Sequence, residues 1–319
     1  MQATDPARPV LSVIVISYNT RDMTLACLKS LYAQTSLPFE TIVVDNASRD
    51  GSAVAIAAEF PQVRLLAETT NHGFAWANNL VAPLAQGAYL LLLNPDTVVL
   101  DHAVDRLMAF AQRRPEARIW GGRALFGDGT LNPGSCWGRM TLWGLLCQTS
   151  GLASVFRGSA LFNPESYGGW DRRSERAVDI VSGCFLLIRQ EDWQALKGFH
   201  PDFFMYGEEA DLCLRARSVI GARPRITPDA EIIHYAGGSQ PVLADRMVRL
   251  LKAKRGLILR HFPAWQRPLA EPIFTAWPLT RWLAAASAAR LTGKEALHNR
   301  GRIWKEIWKR RNEWRVDLG

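Results

Sequence analysis

Acids and amides recur at the ends of apolar runs in the first half of this sequence. Tyr18 and Asn19 follow Val10–Ser17 (VLSVIVIS). Asp45 closes Glu40–Asp45 (ETIVVD) ahead of Asn46, and Asn94-Pro95-Asp96 follows Ala88–Leu93 (AYLLLL). A carboxylate at Asp45 can accept a hydrogen bond from the N3–H of a pyrimidine base, although Asp before Asn-Ala-Ser also suits a turn or a helix cap. Asp96 can hold a hard divalent cation against a diphosphate, or simply belong to an N-P-D-T turn. Glu208, Glu209 and Asp211 crowd one helix start. They complement the helix dipole there, and adjacent acids raise each other's pKa, which suits a general base near neutral pH. His234 ends another strand, before Tyr-Ala-Gly-Gly-Ser. That position is open to a metal or phosphate contact and equally to a structural hydrogen bond.

The elements that must carry these residues alternate. β-branched runs at Val10–Ser17 and Glu40–Asp45 read as buried parallel strands,. Leu25, Leu28 and Leu31 give Thr24–Gln34 a helical face. Further helices are expected at Ala53–Phe60, at Trp76–Ala85 (closed or bent by Pro83) and at Asp101–Arg113 with Asp101 as N-cap,. Val63–Leu66, Ala177–Arg189 (interrupted at Ser182-Gly183) and Arg225–His234 read as strands. Gln190–Leu196 and Glu208–Ser218 read as helices, and 121–176 shows no clear period and is expected to be a long irregular excursion. The pattern is that of an open α/β sheet, which binds ligands at the carboxyl ends of its strands. Neither a G-x-G-x-x-G nor a P-loop follows the first strand, which disfavours a dinucleotide-binding domain and a P-loop ATPase,.

Composition narrows the class. A chain of 319 residues, 48% hydrophobic and 21% charged, is not disordered,. Five cysteines without a C-x-x-C pair are neither a disulfide framework nor a zinc site and suit a reducing, cytoplasmic compartment,. Residues 1–10 lack the apolar core of a signal peptide,. Residues 246–319 hold 17 Lys and Arg against 5 Asp and Glu, with six of the twelve tryptophans, whereas the preceding residues carry a slight excess of acid. The expected organisation is therefore a catalytic body over 1–245 and a basic, tryptophan-rich helical extension over 246–319, broken at Pro263, Pro268, Pro272 and Pro278. Ile303, Trp304, Ile307, Trp308 and Trp314 recur at helical spacing among bases, as in a peripheral helix on an anionic membrane,. The same tryptophans also suit a cap packed on the body. No stretch reaches the ~20 apolar residues of a span. A nucleic-acid partner for the tail would leave the strand-end acids without a role.

Taken in order, the motifs resemble a known family. They are S-V-I-V-I-S-Y-N (12–19), V-V-D-N-A-S-R-D-G-S (43–52), N-H-G-F-A-W-A-N-N (71–79), L-L-L-N-P-D-T (91–97), S-G-C-F-L-L-I-R (182–189), F-F-M-Y-G-E-E-A-D-L-C-L-R-A (203–216) and H-Y-A-G-G-S (234–239). The series, spanning about residues 10–240, resembles the family 2 inverting glycosyltransferases of GT-A fold, in particular their rhamnosyltransferase-like branch. The resemblance implies a mostly parallel central sheet flanked by helices. It implies that Tyr18 and Asn19 line the nucleotide site, Tyr18 stacking on the base that Asp45 hydrogen-bonds. Asn78 or Asn79, behind the Gly73 turn, would face the ribose or diphosphate. Asn94 and Asp96 would stand at the metal motif, and His234 with Asp96 would hold Mg or Mn. Glu209 would be the general base, with Glu208 and Asp211 orienting the acceptor or supporting that base. The implied donor is a nucleotide-diphosphate sugar, deoxythymidine-diphosphate rhamnose by branch, and the acceptor a glycan or a polyprenyl-diphosphate-linked glycan on the inner face of the cytoplasmic membrane. Two positions depart from the family pattern. Glu209 stands where Asp is usual, leaving Glu208 and Asp211 open as bases, and Asn94 stands where many relatives carry a second acid. A sugar nucleotidyltransferase and a degenerate, non-catalytic sugar-nucleotide binder are the alternatives.

Overall fold

A seven-residue run with no polar face belongs in the middle of a sheet, and in the computed structural model of the chain every residue of Leu11–Ser17 is buried,. The structure describes residues 9–235 and 243–316. In chain order the elements are β1 (Leu11–Ser17), α1 (Arg21–Gln34), β2 (Phe39–Asp45), α2 (Ser52–Glu59), β3 (Arg64–Ala67), α3 (Phe74–Val81), β4 (Tyr89–Leu93), β5 (Thr97–Val99) and α4 (Ala103–Arg113). There follow β6 (Ile119–Leu125), β7 (Leu131–Asn132), β8 (Cys136–Trp137), α5 (Leu142–Ser150), α6 (Leu152–Val155), β9 (Arg176–Ala177), β10 (Ile180–Val181), β11 (Phe185–Arg189), α7 (Gln190–Ala195), α8 (Glu208–Val219) and β12 (Arg225–His234). The chain ends in α9 (Leu243–His261), α10 (Arg267–Thr292), α11 (Glu295–Lys309) and α12 (Arg311–Trp314). The described residues form two units, one from 9–137, 171–204 and 208–235, the other from 138–170, 205–207 and 243–316.

The first unit is a helix-flanked sheet of order β3-β2-β1-β4-β11-β6-β12-β5, with β7 beside β6 and β9 beside β12. β3, β2, β1 and β4 are mutually parallel, as are β6 and β12, while β11 and β5 run against their neighbours. This is the mostly parallel GT-A-type sheet that the motifs imply. Its core joins Val13, Val15, Val43, Leu91 and Leu93 to Leu28 and Leu31 of α1 and Leu107 and Phe110 of α4. Burying one such side chain is worth about 1.5–3 kcal/mol. As its sequence implies, α3 stops at Val81, and Pro83 sits in a single 3-10 turn.

Several local expectations fail for identifiable reasons. Asp101 does not cap α4: Asp101 and His102 both have left-handed backbone (φ 34° and 55°), the helix starts at Ala103, and Asp101 instead pairs with Arg106 at 2.6 Å. The segment 121–176 is not irregular throughout. It holds most of β6, then β7, β8, α5 and α6, elements too short or too rich in Gly and Trp to show a period. Its residues 138–170 cluster with the C-terminal helices rather than with the sheet. Pro272 and Pro278 lie inside α10 without ending it. A proline removes a helix hydrogen bond, and here tertiary bonds stitch α5 across that stretch: Thr149 Oγ1 donates to Ile273 O (2.9 Å) and Thr280 Oγ1 to Thr149 O (2.7 Å).

In the second unit Leu145 packs with Val248, Leu251, Ile258, Phe274, Ile307 and Trp314. Ile307 and Trp314 are fully buried, and Ile303, Trp277 and Trp304 pack against the same core. The apolar face of the last helices is thus turned inward, because it has a partner in α9 and α10 to cover it. Among the described residues no helix is long and apolar enough to cross a membrane.

Candidate functional site

Strand register brings the predicted residues to one edge. Ser17 pairs with Asp45 across β1 and β2, and Val15 pairs with Leu93 across β1 and β4. The residues just beyond these strands therefore emerge side by side. Asp45 is almost wholly buried; its Oδ2 accepts from Ser48 N (3.3 Å), while Oδ1 is buried with no hydrogen-bond partner among the described residues. A buried carboxylate oxygen left this way is costly unless a ligand donor meets it. Beside it, Asn46 Nδ2 donates to Asn71 Oδ1 (3.0 Å), Asn71 Oδ1 accepts from Gly73 N (2.9 Å), and Asn46 Oδ1 accepts from His72 N (3.1 Å). Tyr18 is half-exposed at the same edge. Asn19, exposed with φ 52°, bridges the two loops: its N–H donates to Ser48 Oγ (2.8 Å) and its Oδ1 accepts from Arg49 N (2.8 Å).

The second group forms where β5 pairs antiparallel with β12, setting His234 opposite Thr97, with Tyr235 N donating to Asp96 O (3.0 Å). His234 Nε2 lies 3.3 Å from Asp96 Oδ1 and 3.4 Å from Asn94 Nδ2. Burial lowers the pKa of His234, but Cys184 and Asp96 outweigh it and raise the ring to about 10. Among the described residues no cluster of three or more His, Cys, Asp and Glu is grouped to hold an ion. One carboxylate and one imidazole suit a divalent cation shared with a substrate's oxygens, not one caged by the protein alone, and such a cation would have to displace the proton that His234 otherwise holds,. Of the expected H-Y-A-G-G-S motif, 236–239 lie outside the described residues.

The third group is the start of α8. Glu208 is buried, with Oε2 lacking a hydrogen-bond partner among the described residues. Burial, reinforced by the Glu209 charge, pushes its carboxyl well above the usual range. The pair thus retains a proton where an isolated glutamate would have lost it, and Glu209 is the more exposed of the two. Asp211 is fully buried and bound at 2.6 Å to Arg215, whose other nitrogens donate to Leu196 O (2.6 Å) and Gly198 O (2.8 Å). Its carboxylate is engaged in an ion pair that pins α8 to the loop after α7, a positioning duty rather than a base's.

Gly183 and Cys184 join the second group to the third. Cys184 O accepts from Asn94 N (3.1 Å). A Cβ on Gly183 would stand 3.5 Å from the Phe74 ring and 3.7 Å from Glu209 Cβ. Gly73 makes a similar tie: its φ is +87°, a Cβ there would fall 2.3 Å from Phe204 O, and Phe74 N donates to that same oxygen (2.9 Å). Asn79 is committed elsewhere, donating to Phe199 O (2.8 Å) and accepting from Phe199 N (2.9 Å), whereas Asn78 donates through Nδ2 to Phe74 O (2.9 Å) and keeps a buried Oδ1 with no hydrogen-bond partner among the described residues. Sequence reasoning singled out neither Asn71 nor Arg215 nor the closeness of Gly183 to Glu209. Asn71 and Gly183 lie inside the quoted motifs, but only the fold shows what they touch.

Against known proteins, the model of the family "Glycosyl transferase family 2" matches residues 12–194. The N-acetylglucosaminyl-diphospho-decaprenol L-rhamnosyltransferase of Mycobacterium tuberculosis is 27% identical over 306 residues, covering 90% of this chain and 97% of that protein. The O-antigen biosynthesis protein RfbC of Myxococcus xanthus is 28% identical over 274 residues, covering 83% of this chain and 20% of its own length. Among solved structures, the mannosyltransferase PcManGT from Pyrobaculum calidifontis, in complex with GDP-Man and Mn2+, shares the fold with a TM-score of 0.59 at 18% identity, covering 98% of this chain and 89% of its own.

Proposed function

The chain belongs to glycosyltransferase family 2, and from that premise we propose that it transfers rhamnose, with inversion, from deoxythymidine-diphosphate rhamnose to a hydroxyl of a polyprenyl-diphosphate-linked glycan. The rhamnosyl donor and lipid-linked acceptor rest on the name and 27% identity of the mycobacterial relative. The work of the individual residues rests on geometry. Tyr18 stacks on the thymine, and the unpartnered Oδ1 of Asp45 accepts the N3–H of that base. The Asn46–Asn71–Gly73 bonds hold the loop beside it. Asp96 and His234 would hold Mg or Mn against the diphosphate, and the cation supplies neutralisation of the charge that develops on the leaving group.

Glu209 receives the acceptor's proton as its oxygen attacks the anomeric carbon from the side opposite the diphosphate. Glu208, kept protonated by burial and by Glu209, adds no second negative charge beside it. One displacement with a general base needs no covalent nucleophile. In keeping with that, Cys27 and Cys213 are held as thiols, both raised to about 12 by burial first. The acceptor's lipid anchor puts the reaction at the cytoplasmic membrane surface.

The observation that carries this reading is the bridge through Gly183 and Cys184, which sets Glu209 and the Asn94–Asp96–His234 group around one loop. The test is a thermal-shift panel of nucleotide sugars with and without Mg2+ or Mn2+. A rise with the thymidine donor that needs the cation and disappears in Asp96→Ala supports it. A shift independent of cation and of Asp96 contradicts the assignment.

A further inference from the structure

The second unit carries a concentration of exposed apolar side chains that its own core does not use. Trp143 and Leu146 of α5 are 42% and 43% exposed, Val155 at the end of α6 is 74%, Phe156 is 46% and Leu161 is 62%. Trp143, Phe156 and Leu161 meet in one patch with Phe162; Leu146 follows Trp143 by three residues on α5, and Val155 adjoins Phe156 in the chain,. Trp143 Nε1 donates to Leu161 O (2.7 Å), and the ring of Phe162 lies 6.1 Å from that of Trp143 and 5.0 Å from that of Phe156. Exposed apolar surface of this extent marks a contact with something else. The hydrogen bond to Leu161 fixes the indole, so the patch is preformed.

Charge next to the patch selects the occupant. Arg281 of α10 donates to Gln148 O at the end of α5 (2.7 Å), and its guanidinium is 3.9 Å from where a Cβ on Gly151, between α5 and α6, would lie. Burial, and then the like charge of Arg300, depress the pKa of Arg281. A guanidinium gains from an anion beside it, and phosphate is an anion whose geometry it matches. Residues 246–319 also carry 17 bases against 5 acids. A second copy of the chain is disfavoured, since an isologous contact would set two units of this strongly basic composition against each other. An apolar aromatic patch in a basic unit, with Arg281 beside α5, matches the chemistry of an anionic bilayer, apolar below and phosphate above,.

We propose that the patch built from Trp143, Leu146, Val155, Phe156, Leu161 and Phe162 is a membrane-docking surface that inserts into an anionic lipid leaflet, with the basic side chains of the same unit, Arg281 among them, engaging lipid phosphates. The surface takes the anchoring place expected of Ile303, Trp304, Ile307 and Trp314, which lie in or pack against the core. It deepens the lipid-linked acceptor reading and rests on that reading for its purpose, whereas vesicle binding needs no catalysis.

The test is co-sedimentation of the full chain with phosphatidylglycerol vesicles and, separately, phosphatidylcholine vesicles. Binding to the anionic vesicles that falls with salt is expected. Val155→Asp combined with Leu161→Asp should cut that partitioning at least about tenfold. Arg300→Glu should cut it about fivefold or more, and Val219→Asp, at an exposed apolar site of the other unit, should leave it unchanged. Melting temperatures of these exposed-site variants should stay at the wild-type value. Wild-type partitioning by the double variant, or no binding of the wild type to anionic vesicles, overturns the proposal. So does a double variant that merely turns a dimer into a monomer in sedimentation velocity. Turnover of the double variant with a short-chain, water-dispersed acceptor should match wild type. Loss of vesicle binding with such turnover intact separates docking from transfer.

Discussion

Glu208 and Glu209 adjoin in sequence but differ in burial, and the difference assigns their states. The folded-state pKa of Glu208 is raised, first by burial and then by Glu209. Between the ordinary glutamate value and its own raised value, the native state therefore binds more protons than the unfolded chain, and stability falls as pH rises through that window. Glu208→Gln should flatten this decline, read as melting temperature against pH for both proteins; parallel curves would contradict the assignment. Asp45 stands differently: Oδ2 has Ser48, and Oδ1 has nothing among the described residues. Asp45→Ala should raise the donor KM about tenfold, the loss of one hydrogen bond to a buried charged acceptor, with kcat changed much less. An unchanged KM would show that the base is held elsewhere.

At the level of elements, the site is a set of loops tied together by backbone. Gly73→Ala combines a left-handed φ with a Cβ 2.3 Å from Phe204 O. It should cost about 2 kcal/mol or more, visible in urea melts. Gly183→Ala faces only ordinary contact distances, but Gly183→Val fills the space against Phe74 and Glu209. The valine variant should lose kcat while the alanine variant keeps most of it. Arg215→Met strands a buried Asp211 and unties α8 from Leu196 and Gly198; a loss of about 3 kcal/mol is expected. Most of this framework is legible from sequence, because β1, β2 and β4 are continuous apolar runs ending in polar residues and β12 ends in His234. The register that sets Asp96 beside His234 is not legible, since it depends on a three-residue strand, β5, reversed against β12. Nor is α10 legible, because its prolines are accommodated by threonine bonds to α5, more than a hundred residues away in the chain.

For the whole molecule, the basic tail is structural before it is anything else. Deleting 300–319 removes Ile307 and Trp314 from the second unit's core. It should lower the melting temperature or cause aggregation rather than release a folded protein from lipid, which circular dichroism and light scattering would distinguish. In the proposed reading, the family 2 sheet carries the transfer chemistry and the helical unit carries the surface that docks on the membrane of a lipid-linked acceptor. The most direct test of this account is the rate of rhamnose transfer by Glu209→Gln, measured beside wild type with saturating donor and Mg2+. A fall of about a hundredfold or more in kcat, at unchanged donor affinity and melting temperature, is what a general base at Glu209 predicts. Transfer by Glu209→Gln at the wild-type rate would contradict it.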